Sequence, residues 1–159
     1  MLETVKNYVY SVKAAHYIID LWHKEISRLE EDYKTICITE KNYKTIIDES
    51  LRESFKDCKK TITKLINEDK DRIRTQQKSL EEFTKHIEKL KISVTKQYLI
   101  DYVINNMSDN DICVKYCYSD ITTVYKVKRN AIKKLETVII LSEKESCAGA
   151  TNPPSISAS

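Results

Sequence analysis

Between residues 1 and 148 the chain has neither glycine nor proline; its one glycine is Gly149 and its two prolines are Pro153 and Pro154. Glycine and proline are the residues that punctuate a chain into turns and short strands, so their absence predicts an all-α protein. The same scarcity excludes chemistry. A phosphate-cradling loop and a nucleophile elbow both need glycines where the backbone must approach closely, and neither can be built here. The chain is therefore expected not to be an enzyme and to carry no cofactor. Long apolar runs are also missing. No stretch approaches the length that crosses a bilayer and no apolar signal core opens the chain, which points to a cytoplasmic protein without membrane contact. Nor is there a large excess of one charge. The 27 Lys and Arg against 24 Asp and Glu leave a formal charge of +3, too little to require a nucleic acid by itself.

The five cysteines, Cys37, Cys58, Cys113, Cys117 and Cys147, are scattered rather than arranged in a framework, as expected of reduced thiols. Cys113 and Cys117 lie four apart with no histidine nearby, so packing is a better account of them than zinc. His16 and His23 are seven apart beside an apolar seam, and His86 stands alone. None sits in a constellation that suggests catalysis, and no metal site is expected.

What the chain does have is periodicity. From Val5 one seam position recurs as Val5, Val12, Ile19, Ile26 and Tyr33, and the other as Tyr8, Ala15, Trp22, Leu29 and Ile36. Such heptads predict a coiled coil or helical hairpin. The pattern lapses at residues 37–42, where Thr39 and Asn42 suggest a loop and a new helix start. A second long pattern runs through Leu51, Phe55, Cys58, Ile62, Leu65, Asp69, Ile73, Gln76, Leu80, Phe83, Ile87, Leu90 and Val94. Its step from Leu65 to Asp69 to Ile73 reads as a stutter that unwinds the supercoil locally, and residues 67–79 as a polar helix where a break could fall. The first seam can close on the second helix or on another chain. Because the two patterns differ in length, apolar surface is left for a second subunit, which suggests a homodimer or other homo-oligomer.

The stretch from Tyr98 to Leu135 is different. Leu99, Val103 and Ile104 form an amphipathic segment that ends at Asn105-Asn106. Ser108 is an N-cap with Asp111 three residues on, the spacing of a capping box, and a short helix follows with Ile112, Cys113 and Tyr116 on one face. Residues 117–120 break it. Val124, Val127, Ala131 and Leu135 then return at helical spacing, completing a helix-turn-helix pattern. From Val124 to Leu135 the charged residues are Lys126, Lys128, Arg129, Lys133 and Lys134, with no acid. The second helix of such a motif places its first turns on base edges and its later cations on phosphates. The DNA-binding helix is thus expected to run from Asp120, itself counted in the DNA-binding set, to Leu135, with base reading by Ile121, Thr122, Thr123, Tyr125 and Lys126, and phosphate anchoring by Lys128, Arg129 and Lys133, with Lys134 at the edge of the set. The partner would be double-stranded DNA, and a two-fold dimer would suit paired half-sites. The rival expectation is a structural or adaptor protein whose function is the coiled coil itself.

The run Met-Ser-Asp-Asn-Asp-Ile-Cys-Val-Lys-Tyr-Cys-Tyr-Ser, followed by Thr-Val-Tyr-Lys-Val-Lys-Arg-Asn-Ala-Ile-Lys-Lys-Leu, resembles region 4 of bacterial sigma factors. It is closer still to the phage-encoded regulators of the ArpU-like and RinA-like group. Met107, Ser108, Asp111, Ile112, Cys113, Tyr118, Ser119, Thr123, Val124, Tyr125, Lys126, Ala131 and Leu135 occupy matching places. The interval from Ser119 to Val124 is one residue longer than in that pattern, which is accommodated if Asp120 caps the second helix. Where the pattern carries glycine in the turn, this chain has Cys117. The resemblance implies a DNA-binding regulator of phage or prophage transcription, with RNA polymerase as a candidate partner; a small DNA-packaging subunit is a variant of the same class. The expected organisation is a coiled-coil or hairpin module over residues 1–94, a helix-turn-helix domain over 95–141 and a disordered tail over 142–159.

Overall fold

The computed structural model describes residues 2–45 and 48–150. It contains α1 (Leu2–Asn42), α2 (Glu49–Glu88), α3 (Val94–Leu99), α4 (Asp109–Lys115) and α5 (Ile121–Ala150), with a π-helical segment, Ile100–Ile104, continuing directly from α3. The protein is all-α, and α1 and α2 pack together within one chain. All ten predicted seam residues of α1 are buried or half-buried, so its heptads close on a helix of the same polypeptide.

Helix α1 does not stop where the pattern lapses at residue 37. It runs to Asn42, and Thr39 bonds back to the Thr35 carbonyl at 2.8 Å instead of opening a new helix. The start of α2 is marked by Asp48, whose carboxylate accepts from the Leu51 N–H at 2.8 Å, an N-capping role.

Helix α2 is continuous, and the expected stutter is absent. Its sheltered positions are Phe55, Lys59, Ile62, Ile66, Asp69, Ile73, Gln76, Leu80, Phe83 and Ile87, alternating steps of four and three without interruption. Choosing the apolar neighbours Cys58 and Leu65 for the seam produces an apparent stutter; both are exposed. The true seam passes through polar residues, each of them held. Lys59 pairs with Glu40 of α1. Asp69, buried at 3% exposure, accepts from Arg72 at 2.6 Å, and the Arg72 guanidinium lies 4.6 Å from the centre of the Trp22 ring. An Ile66→Asp substitution should accordingly cost the hairpin about 2–4 kcal/mol, because it places an unpaired charge on the seam. Leu65→Asp should cost less than about 1 kcal/mol. Urea unfolding followed by Trp22 fluorescence distinguishes the two.

Contacts divide the chain into two units: Ala14–Ser79, and a second made of residues up to Lys13 together with those from Leu80 onward. This differs from a boundary at residue 94. The core around Tyr98, Leu99, Val103, Ile112, Val124 and Leu135 also takes in Val5, Val9 and Val12 of α1 and Phe83 and Ile87 of α2. Val9 and Phe83 have no exposed surface. A few short helices bury too little apolar area to be stable alone, and the ends of the long helices supply the rest at about 1.5–3 kcal/mol per fully buried side chain.

Helix α5 continues past Leu141 to Ala150, so residues 142–150 do not begin a disordered tail. Ile139 packs against the core and Ser142 accepts from Lys89 at 2.8 Å, which ties this part of the helix to the end of α2. Residues 151–159 of the expected tail lie outside the described residues.

Candidate nucleic-acid interface

The helix-turn-helix is built by local signals that can be followed one at a time. Asn106, with φ of 53°, ends the π-helical segment in the left-handed region that asparagine tolerates. Ser108 then caps α4: its hydroxyl accepts from the Asp111 N–H at 3.1 Å, and the Asp111 carboxylate accepts from the Ser108 N–H at 3.2 Å, forming the capping box. Helix α4 is capped at its end by Tyr116, and the turn that follows is set by Cys117, whose φ is 54°. This is the turn position at which the resemblance expects glycine, and the backbone takes the conformation glycine favours. A Cβ in that region costs about 1 kcal/mol. Cys117→Gly should therefore raise the midpoint of urea unfolding, a gain of up to about 1 kcal/mol; an unchanged or lowered midpoint would mean the turn is not strained.

Asp120 opens α5. Its carboxylate accepts from the Thr122 N–H at 3.1 Å and its carbonyl from Thr123 at 3.1 Å. Hydrogen bonding from the Thr122 N–H is the main reason its pKa falls below the ordinary aspartate value. The DNA contact expected of Asp120 does not fit this placement: the residue is a cap, its carboxylate is engaged by the helix start, and as an anion it is unsuited to meeting phosphate.

The remaining candidates sort by helical phase. Thr122, Tyr125, Lys126, Arg129 and Lys133 are exposed, and their spacing puts them on one outward stripe. Ile121 and Thr123 are half-buried, with Ile121 packed against the core, so they support the helix more than they present it. Lys128 points inward. Its side chain is only 14% exposed, its ammonium is 3.1 Å from Asp109, and it lies 4.8 Å and 4.6 Å from the centres of the Tyr10 and Tyr102 rings. Burial opposes its charge, but the Tyr10 hydroxyl and Asp109 outweigh that and hold its pKa above the usual lysine value. The phosphate role expected of Lys128 therefore does not fit its placement: its charge is already matched inside the fold.

Asp109 completes that cluster by accepting from the Tyr98 hydroxyl at 2.6 Å, while Tyr98 stacks on Tyr102 at 5.4 Å. Lys13 approaches from α1, donating to the carbonyls of Tyr102 and Met107 at 2.8 and 2.7 Å and lying 4.1 Å from the Tyr102 ring centre. Desolvation lowers its pKa, with neighbouring Lys128 adding to the effect. Four elements are thus locked around the base of α5 by two lysines, three tyrosine rings and a carboxylate.

A second polar cluster fixes α4. Asp101 in the π-helical segment has no exposed surface. It accepts from the Lys115 ammonium at 2.9 Å, the Tyr116 hydroxyl at 2.5 Å, the Asn105 amide at 3.1 Å and the Gln97 amide at 3.3 Å. Burial pushes its pKa up, but the bonds from Tyr116, Lys115 and Asn105 prevail and hold it below the ordinary value.

Compared with protein-family models, curated proteins and solved structures, the chain gives no match. One residue of the interface escapes a reading by charge: Asn130, exposed beside Lys126 and Lys133, presents an amide suited to pairing with an adenine edge. Its signal in the sequence was its position four residues after Lys126, within the acid-free stretch. Among the described residues no group of three or more His, Cys, Asp or Glu side chains is placed to hold a metal ion. Cys113 donates to the Tyr118 carbonyl at 3.5 Å. No helix of the described residues is long and apolar enough to cross a membrane.

Proposed function

We propose that this protein is a sequence-specific DNA-binding transcriptional regulator that reads duplex DNA with the outward stripe of α5. The observation that carries this reading is the stripe Thr122, Tyr125, Lys126, Arg129, Asn130 and Lys133, exposed and free of acids, on a helix held by a capped α4 and a left-handed turn. Polar residues in the first turns suit base edges, and the cations that follow suit phosphates. The resemblance of residues 107–135 to sigma region 4-like phage regulators supports control of phage or prophage genes in the cytoplasm, with RNA polymerase as a candidate partner. A DNA-packaging subunit would use the same interface. Selection of bound duplexes from a randomised pool tests the reading: enrichment of one short motif supports it, and recovery of duplexes without any shared sequence counts against it.

One observation favours a role for the long helices in assembly. On α1 Tyr17, Ile38 and Leu21 are 67%, 60% and 45% exposed, apolar surface that the hairpin leaves uncovered. A homodimer through the long helices would cover it and would place two reading helices on one site. The coiled-coil adaptor reading draws on the same residues without DNA.

A further inference from the structure

The first turns of α1 lie alongside the reading helix. Leu2, Lys6 and Tyr10 of α1 and Tyr125, Arg129 and Ile132 of α5 line one groove of about 380 Å³. Its lining is half apolar or aromatic and half charged, with three cations, Lys6, Lys128 and Arg129, against one acid. Lys128 at the base is neutralised by Asp109. Glu3 is the one acid in the lining, and no ion pair joins it to Lys6 or Arg129 among the described residues. Lys6 instead lies 6.0 Å from the centre of the Tyr10 ring. Lys6 of α1 and Arg129 of α5 thus line the same groove, and neither is held in a salt bridge among the described residues. With Lys128 matched by Asp109, Lys6 and Arg129 against Glu3 leave the groove net positive, a potential that favours an anion.

We propose that Lys6 is a DNA-backbone contact supplied by the N-terminal helix, so that a duplex phosphate is held between Lys6 of α1 and Arg129 of α5. The inference rests on the reading of α5 as the DNA helix and extends it to a second element. Continuity supports it, because Tyr125 and Arg129 belong both to the outward stripe and to the lip of this groove. The contact is to phosphate, so it adds affinity and register without adding sequence preference.

The test uses the full chain and random duplex DNA, with binding measured by fluorescence anisotropy over a range of salt concentrations for wild type, Lys6→Ala, Arg129→Ala and the double variant. Each phosphate contact contributes about 0.9 to the slope of log affinity against log salt. The inference predicts a slope shallower by about one for Lys6→Ala and by about two for the double variant, with an unchanged thermal midpoint. A merely structural role for Lys6 would move the midpoint and leave the slope alone. If Arg129→Ala flattens the slope while Lys6→Ala does not, the α1 contact is overturned and the reading of α5 stands. If wild type fails to bind duplex at low salt, both fall.

Discussion

Asp101→Ala is expected to destabilise the unit that carries the helix-turn-helix by about 1.5–3 kcal/mol, the range for losing hydrogen bonds to a charged group, because Lys115 and Tyr116 are partly exposed and can turn to water. The carboxylate has no exposed surface and is bonded by four side chains. Truncation removes the tie between the π-helical segment and the end of α4, leaving the Tyr116 hydroxyl and the Lys115 ammonium to solvent. Far-UV circular dichroism in urea would register the loss. A change below about 1 kcal/mol, the level of an ordinary surface pair, would mean that the cluster does not hold α4. The same group gives a pH dependence whose sign is fixed. Its folded-state pKa lies below the ordinary value, so the unfolded chain takes up this proton first as pH falls. The stability it contributes is complete above the unfolded value of about 3.9 and is lost as pH drops from there through the folded value. Asp101→Asn should therefore flatten the acid side of the stability curve in that window while retaining part of the hydrogen bonding.

The second large effect is expected at the proposed interface. Replacing Lys126, Arg129 and Lys133 together by alanine should weaken binding to random duplex by about two to three orders of magnitude at 0.1 M salt, because three released counterion contacts are lost. All three side chains are exposed, and no salt bridge among the described residues involves them, so the fold should tolerate the change. Thermal melting of the triple variant checks that tolerance, and a duplex titration reads the affinity. Unaltered affinity with an intact fold would leave the outward stripe of α5 without a role in binding DNA.

Much of this architecture is legible in the sequence because it depends on local rules. The seam of α1 can be read position by position, since apolar residues there coincide with burial. Ser108 and Asp111 announce their capping box by spacing alone, whereas the left-handed backbone at Cys117 has no such local signal and is suggested only by the resemblance to a glycine-bearing turn. Local rules fail where a tertiary partner decides. The seam of α2 passes through Lys59 and Asp69, polar residues made acceptable by Glu40 and Arg72, so choosing the apolar neighbour shifts the register. Lys128 looks like any other cation of a basic helix until Asp109, Tyr10 and Tyr102 are seen around it. The extension of α5 to Ala150 depends on packing against the core and on Lys89, which composition does not register. Asp101 gives no hint of its burial, because its partners Lys115 and Tyr116 come from another helix.

The inward and outward cations of α5 provide the most direct test of the central claim that its outer stripe meets DNA. The measurement is the salt dependence of binding to random duplex for wild type beside Arg129→Ala and Lys128→Ala. The account predicts a steep slope for wild type, shallower by about one in Arg129→Ala, and a slope unchanged in Lys128→Ala at temperatures where that variant remains folded. A slope that flattens for Lys128→Ala but not for Arg129→Ala, or no duplex binding by wild type at low salt, would contradict it.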